Sequence, residues 1–227
     1  MKQRLLSLLL AVVALSAEAQ TDEPFYRLEL GGGAGLATHF SDVKGQFAPA
    51  LGATARFPLN PRSAVKVEAT WLTLKGDTKG QKSFLPTTPD AAGPDRLDFS
   101  VKDAVWDFSG LYELHFFPYG YVQDYKGYHR LVPYIQLGFG LTYGQAGKAF
   151  TANVPLGAGL KYKIGERLNL GLSWTVHFSL SDKLDGLEAP LGIPSEGFRN
   201  KDHYATLQFT LTYDLRPKCP TCNRDLR

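Results

Sequence analysis

The side chains of this chain best suited to chemistry lie at its C-terminal end, where RPKCPTCNRDLR holds both cysteines, Cys219 and Cys222, with a proline and a threonine between them. Thiols at that spacing serve three chemistries. Zinc needs four ligands, and this pair has no nearby histidine, so a second chain would have to supply the rest. A thioredoxin-type redox pair needs a helix N-terminus in a βαβ unit to lower the thiol pKa, and no such unit surrounds Cys219. A disulfide, either between Cys219 and Cys222 or from one of them to another chain, needs only an oxidising compartment. The compartment therefore decides among them, and it is written at the other end of the chain.

Lys2 and Arg4 precede the apolar run LLSLLLAVVAL, and Ala17-Glu18-Ala19 follows it as a small-x-small cleavage signature. This pattern predicts a secretory signal peptide over residues 1–19, because the run is too short to cross about 30 Å of hydrocarbon as a helix. Gln20 begins the expected mature chain, so no lipidated cysteine follows the cut. No later stretch is apolar for the ~20 residues a spanning helix needs. The net charge of +3 is mild and no dense Lys/Arg block occurs, which gives no reason to expect a nucleic-acid partner.

The elements that must position any site have a strand period. In LNLGLSWTVHFSL, residues 168–180, Leu168, Leu170, Leu172, Trp174, Val176, Phe178 and Leu180 share one face, and Asn169, Gly171, Ser173, Thr175, His177 and Ser179 the other. At ~3.3 Å per residue the stretch spans about 40 Å, long for a globular strand and suited to a tilted membrane strand. The same alternation recurs near 104–116, 133–143, 152–164 and 204–215, and less cleanly near 25–38, 46–58 and 63–75. Aromatic residues toward the strand ends, among them Trp71, Phe116, Tyr143, Tyr162 and Tyr213, suit girdles at two membrane interfaces. The expected fold is all-β: an eight-stranded antiparallel transmembrane up-and-down β-barrel, residues 20–216, with a plugged polar lumen, followed by a periplasmic Cys-containing tail, residues 217–227. A soluble sandwich or lipocalin-like barrel is the alternative, with the apolar face turned inward.

The connections fit the same topology. Asn60-Pro61 and Gly165-Glu166 read as tight turns on one side, and the Gly-, Pro-, Asp- and Lys-rich stretches 76–97 and 182–201 as long loops on the other. An even strand count returns the tail to the side where the chain began, so both termini are expected in the periplasm. One connection on that side, about 117–130, is longer than the rule prefers and carries Tyr119, Tyr121, Tyr125 and Tyr128. The face opposite the apolar one carries Arg27, Glu29, Arg56, Lys66, Glu68, Asp107, Glu113, His115, Lys161, Lys163, His177 and Asp214. An eight-stranded barrel is just wide enough to be filled by its own side chains, so these charges are expected to pair across the interior and close it.

Two further patterns could carry chemistry. LGGGAG, residues 30–35, looks like a phosphate loop but lacks the Lys-Ser/Thr ending and a following helix; in a strand its glycines mark close approach of neighbours. His39, Ser41, Asp42, Asp182, Asp202 and His203 fall near the outer rim, and a rim enzyme would need a nucleophile and base among them to meet within hydrogen-bond reach. The simpler reading makes them solvated rim residues. His115 and His177 would face the lumen at different heights and join its hydrogen bonds. No enzyme, cofactor, metal or small-molecule substrate is expected.

Several segments in order resemble PorG-like proteins, the small outer-membrane barrels associated with the type IX secretion system of Bacteroidetes-type bacteria. They are LELGGGAG, ARFPLNPRSAVKVEA, YELHFFPYG, PYIQLGFGLTYG, VPLGAGLKYKIGERLNLGLSW, SDKLDGL and NKDHYATLQFTLTYDLRPKCP. The resemblance implies a non-enzymatic secretion component that contacts the periplasmic ring of the lipoprotein PorK and its partner PorN, besides outer-membrane lipid. On that reading the tail, with Lys218, Cys219, Cys222 and Arg224, and the turn with Tyr119, Tyr121, Tyr125 and Tyr128 are the groups placed to meet the ring. The competing reading is a structural or adhesive surface barrel of the OmpX or OmpA type, acting through its outer loops.

Overall fold

The structure, a computed structural model, describes residues 26–40, 44–77, 100–121, 127–145, 147–181, 184 and 201–217. The expected signal peptide, the cysteine tail and most of the two long loops lie outside these residues. The strands are β1 (Tyr26–Phe40), β2 (Lys44–Gln46), β3 (Ala48–Asn60), β4 (Ser63–Asp77), β5 (Ser100–His115), β6 (Leu131–Gly144), β7 (Ala149–Lys163), β8 (Leu168–Ser179) and β9 (His203–Pro217). β2 and β3 both pair with β4 and are separated only by Phe47, so together they make one stave. Each stave pairs antiparallel with its sequence neighbours, and β1 pairs with β9 from Tyr26↔Pro217 to Phe40↔His203. The result is a closed eight-stranded antiparallel barrel. Closure leaves no backbone edge unpaired, which is what an apolar surround requires of a sheet.

Both ends of the described chain meet at one rim, called the near rim here. It also carries the turn at Pro61 and Arg62, residues 116–121 and 127–130, and residues 164–167. In the first of these turns the Arg62 amide donates to Asn60 Oδ1 at 2.8 Å, and in the last the Ile164 amide donates to the Leu168 carbonyl at 2.9 Å. The opposite, far rim carries the connections that contain 78–99 and 182–200.

The alternation places apolar side chains outside and polar ones inside. Phe139 is 79% exposed while Gln136, on the same strand, is 1% exposed. Leu207, Phe209, Leu211 and Tyr213 are exposed on β9, and Thr206, Gln208, Thr212 and Asp214 between them are buried. This is the reverse of a lipocalin-like barrel and rules that arrangement out for these strands. An outer face of this kind is stable only against lipid.

The interior changes character along its length. Toward the far rim, Ala37, Ala50, Leu72, Leu74, Val105, Ala149 and Tyr204 form an apolar cluster, and Leu184 of SDKLDGL inserts into it with no exposed surface. The rest of the lumen is polar. Along β1 the glycines answer a steric demand: a Cβ on Gly31 or Gly35 would stand 2.1 Å from the Leu211 carbonyl oxygen or 1.9 Å from that of Leu207. LGGGAG is thus a seam pressed against β9, as a close-approach reading of its glycines requires.

Phe139 lies near the middle of β6, on the outer face. Phe139→Arg is expected to destabilise the folded barrel in phospholipid vesicles by about 2–4 kcal/mol, measured by denaturant titration. An unchanged transition would mean that this face does not meet hydrocarbon.

Candidate functional site

The lumen holds the densest set of ionisable groups in the described chain, and its geometry follows from strand parity. Arg56 on β3 forks onto Glu113 of β5, with Nε to Oε2 at 2.6 Å and Nη2 to Oε1 at 3.0 Å, and its Nη1 donates to Glu29 of β1. Glu29 also takes Lys161 Nζ of β7 at 2.5 Å and the Thr212 hydroxyl of β9. Lys66 of β4 lies 2.9 Å from Glu68 and 3.7 Å from Glu113, and donates to Gln136 Oε1 of β6 at 2.8 Å. Gln136 in turn donates to Thr175 of β8 at 2.6 Å. Near the mouth, Lys163 meets Asp214 at 2.5 Å, and Asn169 donates to the other Asp214 oxygen at 3.0 Å.

These contacts link every stave of the barrel. Burying an ion in so dry a space costs several kcal/mol unless it is paired and its remaining valences are filled, and here each carboxylate receives more than one donor. Asp107 of β5 is held by uncharged donors instead: it accepts from Ser109 at 2.5 Å, Thr142 at 3.0 Å, Asn153 at 2.6 Å and the Tyr204 hydroxyl at 2.7 Å. His177 stacks on Tyr204 at 4.4 Å with its Nδ1 3.8 Å from Asp107.

Of the residues expected in the lumen, Glu29, Arg56, Lys66, Glu68, Asp107, Glu113, Lys161, Lys163 and Asp214 are brought together in this way. Arg27 is the correction: it is exposed at the start of β1, one strand period beyond Glu29 and past the packed interior. The uncharged members Gln136, Asn153, Asn169, Thr142 and Tyr204 share the parity of the charged set and complete its hydrogen bonds.

The tyrosine-rich connection also needs correction. Tyr119 does not project away from the barrel but folds into the mouth, where its hydroxyl donates to Asn169 Oδ1 at 2.7 Å and its ring receives Lys161 Nζ at 4.4 Å and Lys163 Nζ at 5.2 Å. Burial, with Glu29 and Asp214 nearby, raises the Tyr119 phenol far above its ordinary value, so it stays a neutral donor. Tyr128 is buried too, at 4% exposure, whereas Tyr121 is exposed and Tyr125 lies outside the described residues. The cause is electrostatic: two lysines at the mouth offer a ring better partners than water does. Around Tyr119 at this mouth is a cavity of about 200 Å³ lined by Tyr26, His115, Lys161, Lys163 and Asp214 among others.

The described histidines lie in separate surroundings. His115 sits at the near mouth, with Nδ1 3.4 Å from the Pro61 carbonyl, well away from His177 and its Tyr204 stack. His39 pairs in register with Tyr204 and turns inward, while His203 pairs with Phe40 and takes the other face of the wall. Asp202 caps the Leu184 amide at 2.8 Å, and His203 Nδ1 accepts from the Ser179 amide at 3.2 Å. Ser41, Asp42 and Asp182 lie outside the described residues, as do Lys218, Cys219, Cys222 and Arg224.

A closed barrel with an apolar outer face and a cross-braced polar lumen defines an outer-membrane barrel protein. The chain belongs to the outer membrane protein beta-barrel domain family, which matches it over residues 7–214. No curated protein matches the sequence. Among solved structures, Neisserial surface protein A is similar at 10% identity, covering 85% of this chain and 100% of its own, with a TM-score of 0.51. Ail, the attachment invasion locus protein of Yersinia pestis, is similar at 10% identity over 85% of this chain and 100% of its own, TM-score 0.46. OprG of Pseudomonas aeruginosa is similar at 11% identity over 86% of this chain and 99% of its own, TM-score 0.45.

Arg56→Ala would leave Glu29 and Glu113 facing each other in the lumen, and is expected to cost about 3–5 kcal/mol of barrel stability in denaturant titration. Wild-type protein reconstituted in planar bilayers is expected to give no discrete ion-conductance steps; porin-like steps would show that the brace leaves a water path.

Proposed function

We propose that this chain is a non-conducting outer-membrane anchor that positions a periplasmic assembly, and that the assembly is the PorK/PorN ring of the type IX secretion system. The carrying observation is the filled lumen: charged and hydrogen-bonded side chains brace the interior, Tyr119 occupies one mouth and Leu184 caps the other. A barrel closed in this way cannot pass folded cargo, so its work falls to its rims. Support for this particular ring comes from the run of segments that resemble PorG-like proteins, from LELGGGAG to NKDHYATLQFTLTYDLRPKCP. On this reading the near rim, with both chain ends, faces the periplasm. The contact falls to the tail with Lys218, Cys219, Cys222 and Arg224, and to Tyr121, the exposed tyrosine of the near-rim connection.

One observation favours a second reading, a structural or adhesive surface barrel. The longest connections, which join β4 to β5 and β8 to β9, both lie at the far rim. Trimming 76–97 and 182–201 separates the two, because adhesion would suffer and secretion would not.

Deleting residues 217–227 is expected to leave the barrel in the outer membrane while reducing the PorK and PorN recovered with it from detergent-solubilised membranes. Unchanged recovery and secretion would overturn the anchoring role of the tail. A non-reducing gel of the same material separates a Cys219–Cys222 loop from a bond to a ring subunit, since only the latter adds a band of higher mass.

A further inference from the structure

Outside the lumen and its mouth, where Lys66, Lys161 and Lys163 are buried, the cations of the described chain are sorted by type. Apart from Arg56 in the lumen, the described arginines, Arg27, Arg62, Arg130, Arg167 and Arg216, all stand at the near rim, whereas Lys44, Lys75, Lys102, Lys148 and Lys201 stand at the far rim. Charge alone does not need that division. Arginine differs from lysine in presenting a planar fork that stacks on aromatic rings and pairs with two oxygens at once.

Two of these arginines lie against tyrosines at this rim, each group including one tyrosine of the outer wall, Tyr162 or Tyr213. The Arg130 guanidinium lies 4.7 Å from the Tyr121 ring and 5.7 Å from the Tyr162 ring, and is oriented by donating Nε to the Lys163 carbonyl at 3.1 Å and Nη2 to that of Ile164 at 2.8 Å. Arg167, between β7 and β8, lies 5.7 Å from the Tyr26 ring, and its carbonyl accepts from the Asp214 amide at 2.8 Å, which sets it beside Tyr213. Tyr162 and Tyr213 stand near the rim ends of the apolar outer stripes of β7 and β9, after Leu156 and Leu160 and after Phe209 and Leu211, with Ile164 and Leu215 beyond them on the same faces. Tyrosines at the end of a lipid-facing stripe mark the headgroup level. Among the described residues no carboxylate forms an ion pair with Arg130 or Arg167. The exposed acid nearest in sequence, Glu166, accepts instead from the Tyr26 hydroxyl at 3.2 Å. At the β1–β9 seam, Tyr26↔Pro217 and Leu28↔Leu215 bracket Arg27 and Arg216, two like charges at one end of a ladder with Arg216 at a left-handed φ of 55°.

We infer that the Arg130–Tyr121–Tyr162 and Arg167–Tyr26–Tyr213 clusters are binding sites for the phosphate headgroups of anionic phospholipid, held on the outer wall at the near rim. The wall immediately above each cluster already meets acyl chains. A lipid seated there therefore places its phosphate at the guanidinium without leaving its leaflet, which a periplasmic acidic protein could not match at this height. The inference does not rest on the anchoring role: Tyr121 is common to both, but the lipid sites turn on Arg130 and Arg167, which the ring contact does not use.

The test uses the full mature chain folded in detergent, titrated with dioleoyl phosphatidylglycerol or dioleoyl phosphatidylcholine and read by native mass spectrometry. Wild type is expected to retain the anionic lipid in preference to the zwitterionic one, with retention falling as salt rises. The double variant Arg130→Ala/Arg167→Ala is expected to weaken phosphatidylglycerol retention about tenfold, the loss expected when charge-assisted contacts are removed. Arg130→Lys/Arg167→Lys keeps the charge without the fork and should recover part of it. Heat-modifiable gel migration shows that each variant still folds. Equal retention of both lipids, or an equal loss from Lys75→Ala/Lys148→Ala at the far rim, would overturn the assignment. So would displacement of an arginine-dependent polyglutamate peptide in place of lipid, which would point to an acidic protein partner.

Discussion

Arg56 sits between Glu29 and Glu113 in a space filled by its own side chains, and the rest of the interior is arranged around the need to keep that ion paired. The guanidinium forks onto Glu113, Glu29 is shared with Lys161 and Thr212, and Glu113 is shared with Lys66. Each partner brings another stave into the same network. A stave out of register by one residue would turn its charged side chain into the hydrocarbon and leave its partner alone in the lumen. The ionic brace thus specifies register, while the outer apolar surface supplies the drive to enter lipid.

The division of labour between the two faces also explains why the lumen is not uniform. Where Glu29, Arg56 and Glu113 occupy the interior, neighbouring amides and hydroxyls such as Gln136 and Thr212 are recruited as donors or acceptors. Toward the far rim the inward positions become Ala37, Ala50, Leu72, Leu74 and Val105, which ask for no partner, and Leu184 closes the space with carbon. Two ways of filling a narrow cylinder therefore meet near Tyr204, whose ring packs in the apolar cluster and whose hydroxyl reaches Asp107.

Much of this was legible from the residues. The alternation in LNLGLSWTVHFSL defines β8 almost to its ends, and the charged inward positions of β3, β4, β5, β7 and β9 follow from parity. The early strands are less clear for identifiable reasons. On β1 the inward positions are glycines forced by contact with β9, which erases polarity from that face. On β4, Leu72 and Leu74 are apolar on the lumen side, so a run of similar residues hides the period. Phe47 interrupts one stave and sets β2 apart from β3. Arg27 and Tyr119 were misread because spacing says nothing about where the packed interior stops, or about a ring that prefers two lysines to solvent.

The seam between β1 and β9 joins the first and last strands of the chain. Every other pairing links neighbours in sequence and closes a comparatively short loop, whereas this one must bring together the most distant segments at the greatest loop-closure cost. Until it forms, the sheet has two open edges, and an open edge in lipid leaves its amides and carbonyls without partners. Fewer staves would not make a smaller version of the same molecule. The barrel is therefore cooperative by topology, with the glycines of β1 setting how closely its two ends can meet.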